Sequence, residues 1–178
     1  MALLGNLEIP MNNYEALRGR FINYESLKGE YIDEGHSRIV YEHAQDDSLV
    51  IKQARKYYYA CCNEDEYYVW QHAYPKLKEY LAPIIHMSRD GKYLMMKRTK
   101  TTHELDSLRE LEKTGTKAHI FYKTCVDDSN TDLANEIAQM PSCVQDASAY
   151  NIGFYEGRLV FHDYEGGSEH IRRLRSKS

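Results

Sequence analysis

The stretch EYIDEGHSRIVYEHAQDDSLVIKQ, Glu30 to Gln53, decides the fold. Three runs rich in Ile, Val and Tyr (EYIDEG, SRIVYEH and SLVIKQ) are separated by Gly35-His36 and by the turn-forming AQDD. Such residues suit a pleated, half-buried surface, and the short breaks join neighbouring strands, so the stretch predicts an antiparallel meander. Next comes NEDEYYVWQHA, where Asn63 stands three residues before Glu66. That spacing predicts an N-cap at Asn63 and a helix from about Glu64 that ends before Pro75. APIIHMS and KYLMMKR then flank Arg89-Asp90-Gly91 and read as a hairpin. The first hundred residues are expected to run as three strands, one helix and two strands.

The second part is more helical. HELDSLRELEKTG places Leu105, Leu108 and Leu111 on one face and stops at Gly115, while TDLANEIAQM repeats the pattern with Leu133, Ile137 and Met140 before Pro141. In CVQDASAYNIGFYEGRLVFHDYEGG, residues 143 to 167, NIGFY and RLVFHD read as strands joined at Glu156-Gly157. Two near-copies, NYEALRGRFI from Asn13 and NYESLKGEYI from Asn23, open the chain. They read as a helical turn ending near Gly19 and a second turn or strand leading into the meander, since two copies do not make a solenoid.

A chain of 178 residues with 42% hydrophobic content suits one compact domain or two small lobes sharing a cleft. The 16 tyrosines against 4 phenylalanines place many rings at the edge of a core, with the hydroxyl wet. A net charge of −4 and the lack of a basic run before the terminal HIRRLRSKS argue against a nucleic-acid partner. The tail itself reads as a solvated end. Cys61, Cys62, Cys125 and Cys143 lack the CxxC spacing of a zinc site and point to a reduced, cytoplasmic protein. MALLGNLEIP has no basic n-region, and no later run approaches the length of a membrane span, so neither a signal peptide nor a membrane partner is expected.

Phosphoryl transfer is catalysed largely by positioning and charge stabilisation, so it calls for particular residue types. Magnesium takes hard oxygen ligands, which Asp163 and Asn151 supply from two strand ends. Asp146, five residues before the Asn, is placed to accept a hydroxyl proton. Lys52 in the third strand reaches for phosphates, and a helix carboxylate, Glu66 with Glu64 as its near rival, is placed to hold it. Each also has an ordinary reading: Lys52 as a strand-end lysine, Glu66 as half of a capping box, Asp146 as a turn residue, Asn151 as a strand-end cap. His36 and His162 read as loop and strand fillers, and Trp70 as core.

With these parts in order, the chain from about Lys28 to Gly167 resembles the protein-kinase-like fold. EGHSRIVYEH resembles a shortened glycine-rich loop around Gly35, LVIK the strand ending in the phosphate lysine, KYLMMKR the fifth strand leading to the hinge, DASAYN the catalytic loop and FHDYE the metal motif. Its brevity, with GHSRIVY and ASAYNIGFYEGRLVFHDYE, is most similar to small bacteriophage kinase-like proteins, and the DYE ending is similar to small-molecule kinases. The resemblance implies an α+β, two-lobed fold. Its parts are an N-terminal extension (1–27), a five-stranded N-lobe with one helix (28–99), a reduced helical C-lobe with a catalytic-loop hairpin (100–167) and a basic tail (168–178). It implies ATP and Mg as cofactors, with Gly35, Ser37, Lys52, Glu66 and Met96 binding the nucleotide, Asn151 and Asp163 the metal, and Asp146 with Lys52 catalytic.

There are departures. The loop has one glycine rather than three, Val144-Gln145 replaces the family's His-Arg, Glu165 stands where a glycine is usual, and 15 residues follow Asp163, too few for a protein-substrate platform. Two functions are therefore expected. One is a minimal kinase acting on a host protein or on itself; the alternative is a weak or inactive kinase-like module that sequesters a host protein.

Overall fold

A computed structural model describes residues 22–100 and 151–164. A short helix α1 (Tyr24–Leu27) leads into β1 (Lys28–Glu34), β2 (Arg38–His43) and β3 (Leu49–Ala54), the expected meander. The Gly35 N–H donates to the Arg38 carbonyl at 2.9 Å to close the first turn. In the second, Asp46 Oδ1 accepts from the Ser48 N–H at 2.9 Å and from its hydroxyl at 2.6 Å, the local side-chain bonding that makes Asp a turn residue. A 3-10 turn (Tyr57–Tyr59), helix α2 (Ala60–His72), a short α3 (Pro75–Lys78), β4 (Ile84–Met87) and β5 (Tyr93–Lys97) follow. The five strands form one antiparallel sheet in the order β1-β2-β3-β5-β4.

Asn63 is not the N-cap. Helix α2 begins at Ala60, and Asn63 lies one turn inside it with no exposed surface. Its Nδ2 donates to the carbonyls of Gly91 (2.8 Å) and Lys92 (3.2 Å) in the β4–β5 turn. Long-range partners have overridden a local capping pattern. Gly91, at φ +68°, occupies the left-handed region that turn requires.

The register sorts the strands into two faces. Val50, Leu94, Met96 and Ile84 face α2 and join Val69 and Ile152 in the larger core. Leu49, Ile51, Tyr93 and Met95 point the other way and are covered by Tyr24 of α1. Trp70 packs as expected at the edge of the larger core, with the Lys78 ammonium 5.2 Å from its ring centre.

The predicted second hairpin is β6 (Ile152–Tyr155) and β7 (Arg158–Phe161). Glu156 (φ 50°) and Gly157 (φ 75°) both adopt left-handed backbone, the type I′ geometry that matches the twist of two-residue hairpins. Main-chain bonds stitch this hairpin to the link between α3 and β4 and to the segment after β5. Phe161 donates to the Tyr80 carbonyl and accepts from the Ala82 N–H, both at 2.8 Å, while Phe154 and Lys100 exchange a pair at 2.8 Å. Tyr164, fully buried, donates its hydroxyl to the Ala82 carbonyl at 3.0 Å. A Cβ on Gly153 would stand 2.6 Å from Thr99 Cβ, so this backbone approach demands glycine.

Among the described residues no helix is long and apolar enough to cross a membrane. The first N-terminal copy up to residue 21, the helices expected over 103–115 and 131–140, Asp146 and the basic tail lie outside the described residues.

Candidate functional site

Lys52 sits mid-sheet, between Val40 on β2 and Leu94 on β5, with its side chain 6% exposed. Its Nζ donates to both Glu66 oxygens, at 2.9 and 3.0 Å, and to the His162 carbonyl. Glu66 comes from α2, whose buried positions Ala60, Asn63, Glu66 and Val69 recur every three residues and form the stripe facing the sheet. A carboxylate with no exposed surface survives only when its lone pairs are filled. Those of Glu66 are: besides Lys52, Oε2 accepts from Arg38 Nη1 at 2.7 Å and Oε1 from the Tyr164 N–H at 3.2 Å. The pairing expected between Lys52 and Glu66 is present, while the rival Glu64 lies exposed beside Gly91.

Arg38 is the residue of this cluster that sequence reasoning missed. It opens β2 directly after the Gly35 turn, is 4% exposed, and forks, with Nη1 on Glu66 and Nη2 on Asp163 Oδ1. A signal for it existed. Arg38 lies in phase with Val40, which pairs with Lys52, and pairs with Ala54 two residues beyond Lys52, so its side chain belongs to the same face.

Asp163 follows β7 and keeps 35% of its side chain exposed. Burial pushes its carboxyl up, but the charges of Lys52 and Arg38 and the hydrogen bond from Arg38 outweigh that, and it is held below the usual carboxylate range. Two cations and two carboxylates, drawn from β2, β3, α2 and the end of β7, thus form one compact network.

Asn151, half-buried, stands at the start of the same hairpin, where its carbonyl accepts from the His162 N–H at 2.9 Å. The hairpin register therefore brings Asn151 and Asp163 to one end of β6–β7. Both offer the hard oxygen a divalent cation takes, which fits magnesium, though Arg38 shares the carboxylate. Among the described residues there is no cluster of three His, Cys, Asp or Glu that could hold a metal ion. Gly35 is exposed and a Cβ there would meet nothing, so the turn does not need glycine for space. Ser37, half-buried, accepts at its carbonyl from the Arg55 N–H at 2.9 Å. Met96 is fully buried in the larger core, on the Lys52 face. His162 Nδ1 contacts Thr99 Oγ1 at 2.7 Å, and His36 Nε2 contacts the Tyr59 hydroxyl at 2.6 Å.

No protein-family model and no curated protein sequence matches the chain. Among solved structures it is similar to the streptomycin-ATP-APH(2")-IIa ternary complex, at 14% identity and a TM-score of 0.43, over 91% of this chain and 73% of that one. It is also similar to the apo form of PpkA-294, at 15% identity and a TM-score of 0.42, over 84% of this chain and 62% of that one. The strand order, the helix inserted after β3 and the buried Lys52–Glu66 pair are particulars of this chain itself.

Proposed function

We propose that the chain is an ATP- and magnesium-dependent phosphotransferase of minimal kinase-like fold. Its acceptor would be a hydroxyl of a host-cell protein, if the chain is phage-encoded, or of the chain itself. The observation that carries this reading is the buried Lys52–Glu66 pair, whose lysine also touches the His162 carbonyl one residue before Asp163. A lysine fixed at that depth by a carboxylate is pre-organised to meet phosphate oxygens, and fixed charge costs no reorganisation when charge develops on the transferring group. Asp163 and Asn151 would hold magnesium, which when bound neutralises phosphate charge. The turn from Gly35 to Ser37 would cover the nucleotide, with Met96 behind it. Asp146 would orient the acceptor hydroxyl and take its proton.

Thermal unfolding with ATP, with magnesium and with both tests the site, because a ligand of the native state raises the midpoint. The parent is expected to rise with ATP and magnesium together, Asp163→Asn to lose that rise, and Lys52→Met to lose phosphate transfer. A parent midpoint unmoved by millimolar magnesium-ATP would overturn the enzyme reading. That outcome would leave a second one, a kinase-like module that sequesters a host protein, which is favoured by Arg38 already engaging Asp163.

A further inference from the structure

We propose that Arg38 is a built-in competitor of the divalent cation at Asp163, and that this competition makes cation binding depend on nucleotide. The inference rests on the phosphotransferase reading and adds a rule for how the site is filled. Three observations carry it. The guanidinium is buried at 4% exposure, so it is a fixed part of the site rather than a surface side chain passing by. It forks between Glu66 and Asp163, and Glu66 keeps Lys52 and the Tyr164 N–H without it, so the contact to Asp163 is the separable one. And Asp163 is the partner open to solvent, at 35% side-chain exposure against none for Glu66, so this is the carboxylate an incoming cation can reach.

The consequence follows from charge. Among the described residues Arg38 and Lys52 balance Glu66 and Asp163, so a divalent cation entering alone gains little from the net charge of these four groups and must displace a guanidinium from its oxygen ligand. A polyphosphate entering with the cation supplies anionic oxygens that a guanidinium binds at least as well as a carboxylate, so Arg38 has somewhere to go. Cation and nucleotide then favour each other by the same factor in either order of addition.

The test is calorimetric titration of Mn2+ into the full-length protein, alone and with a non-hydrolysable ATP analogue, for the parent, Arg38→Gln, Arg38→Lys and Arg38→Gln/Asp163→Asn. Without nucleotide, Arg38→Gln should bind Mn2+ roughly ten- to a hundredfold more tightly than the parent, the scale on which a neighbouring guanidinium alters proton binding to a carboxylate. The analogue should tighten Mn2+ binding less in this variant than in the parent, and the added Asp163→Asn should abolish the gain. Arg38→Lys keeps the charge but not the fork, so it should show a smaller gain, and it decides the matter if Arg38→Gln does not fold. Equal or weaker Mn2+ binding without Arg38, or a gain that survives loss of Asp163, overturns the competition and leaves the phosphotransferase reading standing. Absence of Mn2+ binding in the parent even with the analogue overturns both.

Discussion

Replacing Glu66 by Gln should unfold this protein far more readily than replacing any exposed charge. The carboxylate has no exposed surface and accepts from Lys52 at 2.9 and 3.0 Å, Arg38 at 2.7 Å and Tyr164 at 3.2 Å. Glutamine fills the same volume but brings an NH2 group towards two cations whose side chains are 6% and 5% exposed. Breaking a buried ion pair from one side costs about 3–5 kcal/mol, chiefly because the remaining charge is stranded. Against a total of roughly 5–15 kcal/mol, that is a large share. With m near 2 kcal/mol/M, the urea midpoint followed by circular dichroism should fall by about 2 M at unchanged m. A fall of less than about 0.5 M would refute the reasoning. A control separates breaking the network from removing it. Arg38→Met, Lys52→Met and Glu66→Leu together should cost less than Glu66→Gln alone, because no fully buried charge is then left without its partner, and Asp163, which loses Arg38, is partly open to solvent.

Asp163 ionises at lower pH in the folded protein than in the unfolded chain. Its contribution is therefore complete above about pH 4 and lost as pH falls through the depressed value; urea midpoints between about pH 4 and pH 2 should decline less steeply in Asp163→Asn than in the parent. Gly153→Ala sets a Cβ against the stiff Thr99 side chain and should cost about 1–3 kcal/mol by chemical denaturation, while Gly153→Ala with Thr99→Gly, which removes the opposing Cβ, should recover part of it. Glu156, held at φ 50° in the β6–β7 turn, should be improved by Asn, with a gain of about 0.5–1 kcal/mol and a raised melting midpoint.

The sheet was legible because its strands are short, β-branched or aromatic, and bounded by turns whose chemistry is local: Asp46 with Ser48, and Glu156-Gly157. Lys52 and Glu66 were legible for a different reason. A lysine ending an apolar strand and a carboxylate on the next helix are poor core residues unless they meet, and they do. Asn63 was misread because Asn-x-x-Glu satisfies a helix-start rule that uses neighbours in sequence, whereas its actual partners, Gly91 and Lys92, lie about thirty residues away on another turn. Arg38 was passed over because a single arginine in an exposed-looking strand carries no local signal; its meaning depends on pairing across the meander to Ala54 and on Asp163 at the far end of the chain. The placement of Asn151 beside Asp163 was legible in part. Asn151 and Asp163 do share one hairpin end, but the guanidinium on Asp163 is a tertiary fact.

Asn63 has a consequence for how the site can behave over time. One turn before Glu66, it ties α2 to the β4–β5 turn by a doubly donating amide with no exposed surface. Swinging the helix away would strand that amide and two carbonyls together, a toll of several kcal/mol on top of separating Lys52 from Glu66. Thermal jostling does not meet such a toll often, so the helix acts as a fixed post for the carboxylate beside Lys52. Any rearrangement of the cluster is then left to its solvent-open edge, where Asp163 keeps 35% of its side chain exposed, rather than to the helix.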